Sequence, residues 1–219
     1  MTSTPNQEQQ DVYRLAFVHN CLALLVRARR ELAGTALANE EEPSITGLLV
    51  QRAKAIIESN DAEQWMEHLE VADDPPQNDQ PDRRGKRRPR IDIEFVEVRR
   101  GPRPKFHVEA KRLYRPDSVG EYMGTGGLGM FLDGAYASMW PSAGMLGYVQ
   151  TRTCTEWLGE VGDRLANGHI EFRLCKQEHA FSSPDWPTAG LEDVKTSCHT
   201  RTDERLGSLR IFHLALDCC

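Results

Sequence analysis

The segment Arg90–Tyr114, RIDIEFVEVRRGPRPKFHVEAKRLY, decides how the rest of the chain is read. Two runs of alternating apolar and polar residues flank a stretch containing Gly101, Pro102 and Pro104, the pattern of two β-strands joined by a short turn. Side chains alternate faces along a strand. On the first strand Ile91, Ile93 and Phe95 therefore share an apolar face, and Asp92 and Glu94 the polar one. On the second, Phe106, Val108 and Ala110 face one way, and His107, Glu109 and Lys111 the other. Such a hairpin places two carboxylates, Asp92 and Glu109, and one ammonium, Lys111, on one side of a sheet with an apolar layer behind them. Hard divalent cations bind through one or two carboxylates and keep several waters. A lysine beside such a site orients a metal-bound water or helps to deprotonate it. This is equipment for metal-assisted phosphodiester hydrolysis. The bland alternative is an antiparallel hairpin with one wet face, on which charges alternate with apolar residues in any case.

An Asp near the start of one strand, followed by an apolar run ending in Glu-x-Lys on the next, resembles the PD-(D/E)xK nuclease superfamily, the restriction-endonuclease-like fold. The matching residues are Ile91-Asp92 and Val108-Glu109-Ala110-Lys111. The Pro that precedes the Asp in the family pattern stands here as Pro89, with Arg90 and Ile91 between. A second acidic-x-Lys triplet, Asp193-Val194-Lys195, lacks both the apolar run before it and an acidic strand upstream. The resemblance implies an α/β fold with an αβββαβ core, a mixed central sheet flanked by helices. It implies that Asp92 and Glu109 bind Mg2+ (or Mn2+), that Lys111 assists the attacking water, and that the substrate is DNA. It further implies a role in restriction, anti-phage defence or repair, as a homodimer or beside a helicase or ATPase subunit. A catalytically inactive, nucleic-acid-binding accessory subunit is the alternative. Nucleases of this superfamily often add a third acid from a helix before the sheet; Glu42 or Glu58 fits, and Glu42 is favoured by the Ile45-Thr46 that follows it.

Charge is unevenly distributed. Residues 83–115 hold thirteen Lys/Arg against four Asp/Glu, a local charge of +9, whereas the remainder holds fourteen against twenty-nine, or −15. A basic stripe around a carboxylate pair suits a polyanion whose phosphate must reach a metal. Arg87, Arg88, Arg90 and Arg112 are the expected backbone contacts, and Tyr122, one helix after Lys111, is expected to line the site. A solvated basic linker is the plainer reading of the same stripe.

The polar N-terminus MTSTPNQEQQ offers no signal-peptide core, and no apolar run approaches the length of about eighteen residues that reads as a membrane span. The six cysteines are scattered with no Cys-x-x-Cys pair, which suggests free thiols in a reducing cytoplasm. Cys154, His169, Cys175 and His179 fit no structural zinc spacing.

Helical spacing of Leu15, Val18, Leu22 and Leu25 predicts a helix over 11–33, closed by Gly34. A second is expected over 44–59 with Ser44 as N-cap, and a third, short, over 61–70. Residues 1–71 thus form a helical region packing on the core, 72–89 a flexible basic linker, and 90–219 the nuclease core of what is a single domain overall. Beyond the hairpin, a turn of helix is expected at 119–123. Gly124-Thr125-Gly126-Gly127-Leu128-Gly129 matches Gly-x-Gly-x-x-Gly literally. It lacks the preceding strand and the later acid of a dinucleotide site, and reads as a turn into a helix over 128–139, with close approach to a phosphate as a further role. Strands at 144–150, 170–174, 195–201 and 209–216 and a helix at 153–165 complete the pattern. His199, Arg201 and His213 fall in the last hairpin, where they read as its wet face or, in a nuclease, as phosphate contacts or a secondary base.

Overall fold

The computed structural model describes residues 7–77, 88–98, 103–175, 181–184, 186 and 190–219. In chain order they form α1 (Gln7–Glu31), α2 (Glu42–Ile57), β1 (Leu69–Asp73), β2 (Ile93–Glu97), β3 (Lys105–Leu113), α3 (Ser118–Met123), α4 (Leu128–Leu132), β4 (Ser142–Val149), α5 (Cys154–Asn167), β5 (Lys195–Thr200) and β6 (Ser208–Asp217). The strands make one six-stranded sheet in the order β1-β2-β3-β4-β6-β5. β1, β2 and β3 are an antiparallel meander; β3, β4 and β6 run parallel, and β5 returns antiparallel at the edge. The parallel pairs need crossovers, supplied by α3–α4 between β3 and β4 and by α5 between β4 and β6.

Helices cover both faces of this mixed sheet. On one side α1 and α2 bring Val18, Leu22, Leu25, Ile45, Leu49 and Ala53 against Phe95, Phe106, Val108, Leu146 and Phe212. On the other, α3, α4 and α5 bring Val119, Phe131, Trp157 and Val161 against Leu113, Met145, Val149 and Ile211. The inner strands β4 and β6 are therefore near-continuous apolar runs, as parallel strands buried on both faces must be. A capping box starts α5: the Glu156 amide donates to Thr153 Oγ1 (3.2 Å), and the Thr153 amide to Glu156 Oε2 (2.9 Å), satisfying two amides that the first turn leaves orphaned.

Several expectations are corrected. Residues 61–70 are a short 3-10 turn, Gln64–His68, and then β1, whose Leu69 and Val71 point inward in the two-residue rhythm of a strand. The helix expected to run to 139 stops at Leu132, because Gly134 takes φ 71°. Residues 170–174 form no strand; Leu174 makes a single bridge to His199. Ile91 packs with the α3–α5 layer while Ile93 and Phe95 pack with α1 and α2. Regular alternation begins only at Ile93, after the single bridge that Arg90 makes to Pro76. Of the expected linker, residues 78–87 lie outside the described residues, as do 99–102 in the hairpin turn. Its two ends meet, with the Gln77 amide donating to the Pro89 carbonyl at 2.8 Å. Among the described residues no helix is long and apolar enough to cross a membrane.

Gly147 stands in β4 between Lys111 of β3 and Ala215 of β6. A Cβ there would lie 2.5 Å from Leu113 Cδ1. Gly147→Val is expected to lower stability by about 1–3 kcal/mol through overpacking, seen as a lower urea midpoint at unchanged slope. An unchanged midpoint would show that Leu113 yields freely.

Candidate active site

The antiparallel register of β2 and β3 pairs Ile93 with Val108, and one step further out it sets Asp92 opposite Glu109. There the Ala110 amide, which points towards β2, donates to Asp92 Oδ2 at 2.7 Å. Asp92 thus closes the hydrogen-bond ladder with its side chain and is held rigidly by doing so. Lys111 Nζ donates to Ala110 O (2.7 Å), Glu109 Oε1 (2.8 Å) and Glu42 Oε1 (3.2 Å), which engages all three ammonium protons. Glu42 arrives from the first turn of α2, where a carboxylate also suits the helix dipole. Glu58 caps the opposite end of that 16-residue helix, about 24 Å away at 1.5 Å per residue, and takes no part. Glu42, Asp92, Glu109 and Lys111 are thus brought together.

These groups are poorly hydrated, and their proton affinities respond. Glu109 is 5 % exposed; its buried Oε2 meets no donor, and its carboxyl shares a hydrogen bond with Asp92 that favours the Asp92 carboxylate. Burial first, and the Asp92 carboxylate second, push its carboxyl up to about 8 against the pull of Lys111. Asp92 and Glu42 are also raised, chiefly by burial. For Lys111 burial opposes the charge, but Glu109 and Glu42 outweigh it and raise the ammonium above its ordinary value.

The next pair inward on the same face behaves oppositely. His107 Nε2 lies 2.8 Å from Glu94 Oε2, and Lys105 Nζ donates to that oxygen at 3.0 Å. Although burial works against it, the hydrogen bonds of His107 and Lys105 bring the Glu94 carboxyl down to about 2. One carboxylate of the hairpin is saturated with partners. The other is left short of positive charge.

Asp92 and Glu109 fit a hard cation: the two carboxyl groups lie within hydrogen-bond reach of each other, the buried Glu109 Oε2 meets no donor, and both groups can be ionised together only beside a further positive charge. Among the described residues no group of three or more His, Cys, Asp or Glu side chains could hold a metal, so a cation between these two would complete its shell with water and carbonyl oxygen. Cys154, His169 and Cys175 belong to no such group among the described residues, and His179 lies outside them.

The expected nucleic-acid contacts are largely occupied by neighbours. Arg90 Nε donates to Asp74 Oδ1 at 2.6 Å and its NH2 to the Asp74 carbonyl. Arg112 pairs with Glu41 (2.7 Å) and lies 4.5 Å over the Tyr114 ring. Arg88 is half-buried, and Arg87 lies outside the described residues. Tyr122 does not line the site: it is 1 % exposed, and its hydroxyl is used inside the α3–β4–β6 layer. A cleft of about 600 Å³ does open beside Glu42 and Lys111, bounded by Asp117, Glu121, Thr125 and Gly126. The glycine-rich turn forms its rim. Gly124 and Gly127 are small for packing reasons, since a Cβ on either would strike the carbonyl of Gly120 or Tyr122. His199, Arg201 and His213, read as a wet face, are 0 %, 1 % and 0 % exposed, because β5 and β6 turn that face to α5 and the loop after it. Tyr136 escaped sequence reading: its hydroxyl donates to Arg90 O at 2.6 Å and steadies the approach to Asp92, with no local pattern to announce it.

Comparison with protein-family models, curated proteins and solved structures finds no match to this chain.

Because the Glu109 carboxyl lies above its ordinary 4.5 in the folded protein, its stabilising contribution is complete below about pH 4.5 and is lost as pH rises through about 8. Urea stability of the metal-free protein is expected to fall more steeply over that window than in Glu109→Gln. Parallel slopes would show that Glu109 ionises normally.

Proposed function

We propose that the chain is a metal-dependent nuclease of the PD-(D/E)xK type that hydrolyses DNA phosphodiester bonds at the Asp92–Glu109–Lys111 face. The observation that carries this reading is the buried Glu109 carboxyl, which shares a hydrogen bond with Asp92 and lies next to an ammonium with every proton engaged. The element order α2-β1-β2-β3-α3-β4 supports a restriction-endonuclease-like core. The +9 charge of residues 83–115 supports a polyanionic substrate, whose phosphates would compete with Asp74 and Glu41 for Arg90 and Arg112.

Asp92 and Glu109 would hold Mg2+ or Mn2+, which supplies Lewis-acid polarisation of the phosphoryl group and a water of lowered pKa. Glu109 releases its proton to become a ligand. Asp92 keeps its orientation through the Ala110 amide. Lys111 remains an ammonium at neutral pH, since its partners raise it; its part is to orient the attacking water and to face the negative charge that grows on the phosphoryl oxygens. It is not the base. Glu42 fixes the ammonium from the side of α2. A nucleic-acid-binding accessory subunit in restriction, defence or repair is the second reading, favoured by the lack of a three-ligand group among the described residues.

Plasmid and linear DNA incubated with the protein and Mg2+, Mn2+ or chelator, beside Lys111→Ala and Glu109→Gln, separate the two. Metal-dependent cutting is expected, reduced at least about a hundredfold in each variant with the fold intact. DNA binding indifferent to metal, with no cutting, would establish the accessory reading instead.

A further inference from the structure

A chain of hydrogen bonds runs through the layer between the sheet and α3. Tyr122 Oη lies 3.0 Å from Met145 O and 3.0 Å from His213 Nδ1. His213 Nε2 lies 2.7 Å from Ser197 Oγ, which lies 2.6 Å from His199 Nε2. His199 Nδ1 ends the chain 2.6 Å from Phe172 O. All four side chains are buried, so Ser197, boxed between two imidazoles, has no access to a substrate as a nucleophile.

Both ends of this chain are carbonyl oxygens, which only accept. It has five links, and its neutral members bring four protons, one each from Tyr122, His213, Ser197 and His199. Every link needs a proton between its two heavy atoms. No choice of tautomers closes all five. One additional proton does, and a second would leave two donors facing each other.

We propose that the Tyr122–His213–Ser197–His199 chain is a buried site for a single proton, open by one link when neutral and closed when one of its two imidazoles becomes an imidazolium. The open link is at Tyr122, whose two contacts of 3.0 Å are the longest of the five. A contact of 2.6 Å between His199 Nδ1 and Phe172 O needs its proton, which fixes His199 as the Nδ1–H tautomer. His199 Nε2 then accepts from Ser197, Ser197 accepts from His213 Nε2–H, and His213 Nδ1 is left without a proton. The single Tyr122 proton serves Met145 O or His213 Nδ1, each at 3.0 Å, but not both. When the chain gains a proton, on His213 directly or on His199 with Ser197 relaying its own to His213, His213 Nδ1–H donates to Tyr122 and the Tyr122 hydroxyl is held to Met145 O. Met145 is the register partner of Glu109 on one side and of His213 on the other, so this rotor sits on the same row of the sheet as the carboxylate pair.

The surroundings set where the proton enters. From α3 only Tyr122 faces His213, and from β5 Ser197 and His199. Lys195, its register partner, turns Nζ to Ser183 Oγ at 2.9 Å. The inward face of α5 is Trp157, Leu158, Val161 and Leu165, and the Phe181 ring meets His213 edge-on at 5.1 Å. Arg201, two residues beyond His199, donates to the carbonyls of Ala137 and Ser138. Burial and then His199 lower His213, burial brings His199 down to about 4, and no carboxylate contributes to either. Uptake therefore belongs to the acid side of ordinary histidine titration.

Nitrogen NMR of the imidazoles in the full chain tests the proposal. At neutral pH His199 is expected as the Nδ1–H tautomer and His213 as Nε2–H; on acidification a single imidazolium forms in the chain before the fold is lost, and His213 Nδ1 becomes protonated. Tyr122→Phe removes the acceptor for the His213 Nδ1 proton, and should lower the pH at which that nitrogen is protonated by about one pH unit or more while leaving the neutral-pH His199 tautomer unchanged. Matching tautomers at the two sites, independent protonation of both, unfolding with both imidazoles still neutral, or an unmoved titration in Tyr122→Phe would each overturn it. Should Tyr122→Phe fail to fold, the tautomer pair of the unsubstituted protein decides alone.

Discussion

Three carboxyl groups, from Glu42, Asp92 and Glu109, gather around the single ammonium of Lys111 where β3 passes under the start of α2. Two carboxylates about 4 Å apart repel by about 4 kcal/mol at an effective dielectric of 20, and burial makes an uncompensated charge costlier still. The fold meets this by raising the proton affinity of the acids, most of all Glu109, and by keeping Lys111 charged. Such a site is stable but not relaxed. With its three acids ionised against one ammonium, it is two positive charges short of balance.

The rest of the architecture holds that shortage in place. Two apolar layers clamp β3 from either side, so its polar residues cannot slide to water without moving the sheet. The Ala110 amide pins Asp92, and Tyr136 steadies the segment before it. Glu94, one pair further in, shows what the same hairpin does with a carboxylate that has a purely structural role: His107 and Lys105 saturate it. The contrast between Glu94 and Glu109 separates a structural ion cluster from a cation site better than either residue does alone.

Much of this could be read before the structure, and the reasons for the exceptions are physical. The two-residue period of the hairpin put Asp92, Glu109 and Lys111 on one face, because alternation is a local property of a strand. Glu42 was visible only through its neighbours Ile45 and Thr46, since its approach to Lys111 depends on how α2 packs. β1 was hidden because five residues next to a 3-10 turn carry little periodic signal. Tyr122 was misplaced because α3 has six residues, too short for its buried face to be read from spacing. Alternation in an edge hairpin makes His199, Arg201 and His213 read as a wet face, yet α5 and the loops beside it cover them. The basic stripe was legible as composition but not as ion pairs, which join residues as distant as Arg112 and Glu41.

Proton release on cation binding tests the Glu109 site most directly. Calorimetric titration of Mg2+ into the protein at neutral pH, in two buffers of different ionisation enthalpy, counts the protons released. A carboxyl held near about 8 must ionise to become a ligand, so binding should release about one proton, and Glu109→Gln should release none. Binding without proton release, or the same release from Glu109→Gln, would contradict a cation site built on Glu109.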